Sequence, residues 1–322
     1  MRNPHVQSLL ISLPFRERFV RRRAKALLDA SEEHLLDCGD GVRLQCFISR
    51  PSRVGRPDQG KVAVTLHGWE GSSDALYILS PAQRLFDAGF DVVRLNLRDH
   101  GSTHHLNREL FHSCLLPEVV GAVQRIQEMF AGKPLHLVGY SLGGNFMLRV
   151  AAQADSAGLN IARVIAVSPV LDPDETLRAI EGGLAAYHTY FIRKWARSLL
   201  KKQAAWPSVY DFAEMRRLAS LRRMTDEMVR RFTAYPTLED YLNGYSITGD
   251  RLANLKVPSS VITAYDDPII PVRGLERLAK SPALNVTVTR HGGHCGFFDQ
   301  LAGPGWLEDR IVAEFSRPAV AG

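Results

Sequence analysis

A strand, a tight turn and a helix follow one another without a gap at residues 135–153, and this stretch constrains the fold more than any other. Residues 135–138 are apolar and rich in strand formers, and residues 146–153 are compatible with a helix. Between them, residues 139–143 carry the pattern G-x-S-x-G. The pattern alone is weak because Gly and Ser are common, but its place between a strand and a helix is typical of a nucleophilic serine.

The glycines of this turn have a physical role. Cβ atoms beside the serine would collide in so sharp a turn, so Gly139, Gly143 and Gly144 leave the space that it needs. Ser141 is then expected in a strained conformation, with its hydroxyl exposed above the sheet. The amide of Leu142 is predicted to lie at the start of the helix and to point toward a developing oxyanion.

Strands and helices alternate along most of the chain. A hairpin is predicted around the Asp40-Gly41 turn. Further strands are predicted at residues 61–66, 91–95, 135–138, 163–167, 259–263 and 285–289. Helices are predicted at residues 15–28, 75–88, 118–130, 272–280 and 305–315. This alternation predicts an α/β fold with a mainly parallel, doubly wound sheet.

The pattern changes between residues 172 and 255, where helix formers dominate and aromatic residues recur. We interpret this segment as a helical lid inserted into the sheet domain, although its aromatic residues could also serve only its own core. A chain of 322 residues is long enough for one large α/β domain with such an insertion. The predicted organisation is an arm at 1–30, a core at 31–171 and 256–322, and a lid at 172–255.

Three candidate catalytic residues follow three predicted strands in the order Ser141, Asp267, His294. A serine becomes a good nucleophile when a histidine takes its proton and a carboxylate orients that histidine. The ends of parallel strands meet at one edge of a sheet, where ligands bind. Asp266 is the alternative acid and is expected to hydrogen-bond backbone amides instead, and His291 is the alternative base.

The turn at residues 67–69 is predicted to complete an oxyanion hole. The amide of Trp69 would act with that of Leu142, and each such donor contributes about 3 kcal/mol of transition-state stabilisation. His67 and Gly68 are expected to shape this turn without acting as acid or base. The polar stretch 96–102 also follows a strand, and it is expected to fix loops beneath the site.

Other classes of site find little support. The glycines at 139–144 lack the Lys-Ser/Thr of a phosphate loop. His104, His105 and His112 lack carboxylates at metal-binding spacing, so neither a metal nor a cofactor is predicted. A net charge of +6 without a recognition motif argues against nucleic acid. The basic runs at 16–25 and 193–202 are most simply solvated helix faces, with weak contact to an anionic membrane as the alternative.

Four cysteines without paired spacing, no apolar leader and no apolar run of about 20 residues predict a cytoplasmic protein. The sequence is silent on the oligomeric state.

With these motifs in view, the chain resembles the α/β-hydrolase superfamily and, more narrowly, the YheT-like family. That family is related to mammalian membrane-anchored α/β-hydrolase-domain lipid enzymes. The resemblance is carried by residues 3–10, 67–73, 96–102, 111–113, 139–145, 266–268 and 291–297. It implies an α/β-hydrolase fold and a serine hydrolase that acts on a short- or medium-chain acyl ester or a lipid.

The resemblance supports Ser141, Asp267 and His294 as nucleophile, acid and base. The family commonly has Gly at the position of Asp99 and Leu at that of Trp69, and Trp69 is expected to narrow the acyl pocket. Phe111 stands where the family usually has Tyr. The alternatives are an acyltransferase that uses the same triad and a non-catalytic binding protein on the same fold.

Overall fold

The computed structural model describes residues 3–10, 14–298 and 305–317. The strands are β1 (Ser31–Asp37), β2 (Arg43–Ser49), β3 (Val62–Leu66), β4 (Asp91–Leu95), β5 (Leu135–Tyr140), β6 (Ile161–Val167), β7 (Ser259–Ala264) and β8 (Leu284–Thr289). The α-helices are α1 (Pro4–Leu10), α2 (Pro14–Arg23), α3 (Lys25–Asp29), α4 (Leu76–Asp87), α5 (Leu116–Met129), α6 (Leu142–Ala152), α7 (Pro173–Gly182), α8 (Ala185–Ala205), α9 (Leu221–Phe232), α10 (Leu238–Gly244) and α11 (Trp306–Ser316).

The eight strands form one sheet in the order β1-β2-β4-β3-β5-β6-β7-β8. The β1–β2 hairpin and the β2–β4 pair are antiparallel, and all other neighbours are parallel. Strands β3, β4 and β5 are buried along their whole length because helices cover both faces. The predicted hairpin and mainly parallel sheet are confirmed.

Two apolar cores lie on opposite faces of the sheet. Side chains of α2, α3, α4 and α11 pack on one face, including Val20, Leu27 and Phe315. Side chains of α5 and α6 pack on the other face together with residues from the segment between β6 and β7. The sheet is therefore doubly wound, as predicted.

Two of the predicted helices differ in detail. The single helix expected at 15–28 is two helices, because Ala24 has a ψ of 6° that interrupts the helical repeat. The helix expected at 272–280 is a 3-10 helix, Val272–Arg277. Gly274 disfavours an α-helix there, and its amide bonds three residues back to the carbonyl of Pro271.

Four helices, α7 to α10, lie between β6 and β7. Side chains cap three of them at the N-terminus: Asp172 accepts from the Glu175 amide, and Ser220 and Thr237 do the same for α9 and α10. The assignment of 172–255 as a lid stays a prediction. Among the described helices, none combines the length and the apolar character that a membrane span requires.

Candidate active site

Ser141 lies at the turn between β5 and α6 in a strained backbone conformation. Its φ is 53° and its ψ is −118°, which is unusual for a residue with a side chain. A Cβ on Gly139 would lie 2.2 Å from the carbonyl oxygen of Gly143. A Cβ on Gly143 would lie 2.4 Å from the carbonyl oxygen of His67. The predicted strain and the predicted need for glycine are both confirmed.

Asp267 and His294 form a hydrogen-bonded pair beyond the ends of β7 and β8. The Asp267 Oδ2 atom lies 2.9 Å from Nδ1 of His294. The Asp267 Oδ1 atom accepts hydrogen bonds from the amides of Ile269 and Ile270, at 2.8 and 3.0 Å. Burial lowers the pKa of His294, but the neighbouring carboxylate outweighs it, and the pKa lies well above its ordinary value. This contact leaves Nε2 as the ring nitrogen not engaged by the carboxylate.

Asp266 has a different set of partners. Its Oδ1 atom accepts hydrogen bonds from the amides of Gly292 and Gly293, at 3.0 and 2.9 Å. Its Oδ2 atom lies 3.2 Å from Nδ1 of His291, which is partly exposed. Asp266 thus holds backbone amides of the loop that carries His294, in the way expected from the sequence.

His67 shapes the turn that follows β3. Its Nδ1 atom donates to the carbonyl of Gly68 at 2.8 Å, and its Nε2 atom accepts from the amide of Leu97 at 3.2 Å. Burial, and then the nearby His100, hold the pKa of His67 well below its ordinary value, so the ring is neutral. A Cβ on Gly68 would lie 3.1 Å from that of Ser141, so glycine allows the turn to approach the serine closely.

Two backbone amides near Ser141 are unengaged. In the part of the chain that the structure describes, neither the Trp69 nor the Leu142 amide has a hydrogen-bond acceptor. The adjacent Glu70 amide, in contrast, donates to Nε2 of His100 at 3.1 Å. Such free donors beside a serine hydroxyl are chemically suited to bind an anionic oxygen.

The Trp69 side chain connects this turn to α8. Its ring stacks on Phe191 at a centroid distance of 5.5 Å and meets the edge of Trp195 at 5.2 Å. Lys194 on the same helix donates to the carbonyl of Glu70 at 3.1 Å. Helix α8 therefore forms a wall directly above the turn at residues 67–70.

A cavity of about 730 Å³ opens above Ser141, within the usual range for small-molecule sites. Ser141 and His294 both line it, and so do Trp69 and Leu142. Its apolar lining includes Leu177, Ile180, Met228, Leu242 and Ile269. Charged residues also line it, namely Glu17, Arg21, Glu70, Asp74, Asp99, Lys194, Arg197 and Lys201. Burial raises the pKa of Glu70 to about 7.

The stretch 96–102 supports the site through buried contacts. Arg98 pairs with both carboxylate oxygens of Glu118, and Nδ1 of His100 donates to the Arg98 carbonyl at 2.7 Å. Asp99 accepts from the Phe111 amide at 2.8 Å and from Nζ of Lys202 at 2.9 Å. The expectation that this stretch fixes loops is confirmed.

Sequence patterns did not predict two features of this region, the burial of Lys202 and the contact of Ser8 with His294. Lys202 is fully buried, although it lies in a basic run that indicates a solvated face. Ser8 on α1 accepts from the amide of His294, 286 positions away. The motif at residues 3–10 was the only signal for the second contact, and it did not indicate a partner.

No group of three potential metal ligands occurs among the residues described by the structure. Of the histidines considered in the sequence, His104 bonds through Nε2 to the hydroxyl of Ser198, at 2.9 Å.

Comparison with known proteins places this site in context. Residues 63–301 match the model of the alpha/beta hydrolase fold family. The chain is 26% identical to YheT of Escherichia coli (strain K12), over 77% of this chain and 74% of YheT. It is 25% identical to phospholipase ABHD3 of Mus musculus, in an alignment that covers 79% of this chain. The same alignment covers 63% of ABHD3, so the chain spans less than two thirds of the length of that relative. These matches confirm the resemblance seen in the sequence.

Solved structures agree on the fold. The Pyrococcus furiosus esterase Pf2001 superposes with a TM-score of 0.57, over 90% of this chain and 93% of that one. The two sequences are 16% identical, so this likeness concerns the fold alone.

Proposed function

The chain belongs to the alpha/beta hydrolase fold family, and from this premise we propose that it is a serine hydrolase that cleaves carboxylic esters. One observation carries the proposal. A strained serine and a histidine paired to a buried carboxylate at 2.9 Å line the same cavity. This combination of nucleophile, base and orienting acid is the general arrangement for activating a hydroxyl.

The proposed reaction begins when Nε2 of neutral His294 takes the proton of the Ser141 hydroxyl, whose oxygen attacks the ester carbonyl. Asp267 holds the ring through Nδ1 and stabilises the imidazolium that forms. The tetrahedral intermediate collapses as its C–O bond to the alcohol breaks, and His294 donates the proton to the departing alcohol. Water then attacks the acyl-enzyme, again with His294 as base, and releases the acid and free Ser141.

The amides of Trp69 and Leu142 are proposed to stabilise the negative oxygen of both tetrahedral intermediates. Both residues line the cavity, and neither amide has an acceptor within the described ranges. Each donor would contribute about 3 kcal/mol to transition-state stabilisation. The neutral His67 ring and Gly68 are proposed to set the orientation of this turn. The mechanism uses no metal and no cofactor.

The substrate is proposed to be a short- or medium-chain acyl ester or a lipid-like ester. The apolar lining of the cavity supports an acyl chain. The name of the relative ABHD3, a phospholipase, supports a lipid ester. The large ring of Trp69, packed beneath α8, supports a narrow acyl pocket. A cytoplasmic location stays a prediction.

Replacement of Ser141 by Ala tests the proposal. We expect the variant to lose hydrolysis of p-nitrophenyl esters and labelling by a fluorophosphonate probe, while its thermal unfolding stays cooperative. Retained hydrolysis by folded Ser141→Ala would exclude this mechanism. Absence of labelling in the native protein would favour a binding protein. Ester products formed with added alcohols would identify an acyltransferase instead.

A further inference from the structure

Helix α1 lies directly on the loop that carries His294. The hydroxyl oxygen of Ser8 accepts a hydrogen bond from the backbone amide of His294, at 2.8 Å. The same hydroxyl donates to the carbonyl of Pro4 at 2.7 Å, one turn earlier in the helix. Ser8 is buried against this loop and also lines the cavity. The position of the His294 backbone is thus tied to α1.

Gln7 holds the far end of the same loop. Its Nε2 atom donates to the carbonyl of Phe298, and its Oε1 atom accepts from the amide of Phe298, both at 2.7 Å. The side chain therefore pairs with both main-chain groups of one residue, as a neighbouring strand would. Gln7 is only 2% exposed, which strengthens the constraint because water cannot replace the pair.

The helix and the loop are in close contact. A Cβ on Gly293 would lie 2.4 Å from the carbonyl oxygen of Pro4, and a Cβ on Gly296 would lie 2.6 Å from that of Gln7. Glycine at these two positions lets the helix backbone approach the loop backbone without intervening side chains.

The loop has a strained backbone of its own. Cys295 and Phe297 have φ values of 62° and 51°, in the left-handed region that side chains disfavour. Asp266 binds the amides of Gly292 and Gly293 at the start of the loop. From His294 onward, the bonds from Ser8 and Gln7 oppose relaxation of this strain.

Helix α1 also reaches the cavity wall. Nδ1 of His5 lies 3.0 Å from the hydroxyl of Tyr187, and their ring centroids are 5.7 Å apart. Tyr187 is on α8 and lines the cavity. One short helix therefore contacts both the histidine loop and the helix that covers the site.

We propose that α1 positions the active site, with Ser8 and Gln7 as positioning residues that fix the His294 ring relative to Ser141. The inference rests on the proposed function, because it assumes that His294 is the base. Neither side chain is proposed to touch the reacting atoms. Their effect is on the alignment of the base, to which proton transfer is sensitive.

Ser8→Ala and Gln7→Ala test the inference, with Val6→Ala as the matched control on an exposed part of the same helix. We expect kcat for a p-nitrophenyl ester to fall by about 10- to 100-fold in both variants while KM stays within about twofold. Ser8→Thr retains the hydroxyl and should restore most of kcat. Val6→Ala should match the native protein.

The inference is wrong if folded Ser8→Ala has the kcat of Val6→Ala, or if Ser8→Thr is as slow as Ser8→Ala. If the alanine variants do not fold, Gln7→Met provides the test, because it keeps the length of the side chain, removes both bonds to Phe298 and adds no buried charge. An unchanged kcat in that variant would likewise overturn the inference. Failure of the native protein to hydrolyse esters or react with the fluorophosphonate would instead count against the proposed function.

Discussion

At the scale of single residues, the Asp267–His294 pair determines how activity should depend on pH. A protonated imidazole cannot take the proton of Ser141, so activity should rise with pH as His294 loses its proton. Because Asp267 raises the pKa of His294, the midpoint of this rise in kcat/KM should lie above 6.5.

Asp267→Asn should move that midpoint to lower pH, since the imidazolium loses its carboxylate partner, and should lower kcat by roughly 10⁴-fold. Asp266→Asn is the comparison, because an amide oxygen can still accept from Gly292 and Gly293. Its kcat should fall less than about tenfold. If kcat in a pH–rate series falls more in Asp266→Asn than in Asp267→Asn, the orienting acid is Asp266.

The glycine turn gives a prediction on stability. In Gly143→Ala, the new Cβ would meet the backbone oxygens of Leu66 and His67, so the chain must shift. We expect the free energy of unfolding in urea to fall by about 1–3 kcal/mol. Gly182→Ala is the control, because a Cβ there meets nothing within 4 Å. An equal effect of the two substitutions would mean that the close approach has no energetic importance.

At the scale of elements, a buried ion pair contributes to the attachment of α8 to the sheet domain. Nζ of Lys202 contacts Asp99 at 2.9 Å and the carbonyls of Asn107 and Glu109 at 2.6 and 2.9 Å. The side chains of Lys202 and Asp99 are 0% and 4% exposed. Removal of the cation would leave a buried carboxylate without its counter-charge.

Lys202→Met should therefore lower the free energy of unfolding by about 3–5 kcal/mol. The neighbouring Lys201→Met, at an exposed position, should change it by less than about 0.5 kcal/mol. Combining Lys202→Met with Asp99→Asn should cost less than the sum of the two single changes. Strict additivity in urea denaturation would show that the pair is not energetically coupled.

The elements also show how far sequence patterns extend. Strands β3, β5 and β6 were predictable because their sequences are mostly apolar. The division of the 15–28 helix at Ala24 was not predictable, because it depends on one ψ angle. The 3-10 form of Val272–Arg277 was also missed, because helical composition does not distinguish the two hydrogen-bond patterns.

At the scale of the whole molecule, several basic residues lie beside the cavity. Arg21 on α2 and Arg197 and Lys201 on α8 line it. The same helices expose large apolar side chains, with Phe19 at 54% and Leu200 at 42%. Basic groups and exposed apolar side chains on two helices that border the cavity are suited to weak contact with an anionic membrane surface.

We therefore predict that the protein sediments with vesicles that contain an anionic lipid and does not sediment with purely zwitterionic vesicles. Salt at 0.5 M, about a threefold rise over physiological ionic strength, should weaken this binding. Replacing Arg18 and Arg22 on α2 with Ser should weaken binding about tenfold or more. Lys256→Ser, outside these helices, should have a smaller effect. Binding that does not depend on lipid charge would contradict the prediction. It would favour the interpretation that the basic runs are simply solvated helix faces.

The sequence by itself determined the parallel sheet, the strained serine turn and the residues that follow each strand. These features obey local rules: apolar runs mark buried strands, and only glycine fits where backbones meet. The order of the strands along the chain then brings Ser141, Asp267 and His294 to one edge of the sheet.

Only the tertiary structure decided which groups meet across long distances in the chain. It places Asp267 rather than Asp266 against His294, pairs Lys202 with Asp99, and seats α1 on the histidine loop. Such contacts leave no periodic pattern, because each depends on how separate elements pack. A buried lysine and a solvated one look the same in the sequence until the fold shows what surrounds them.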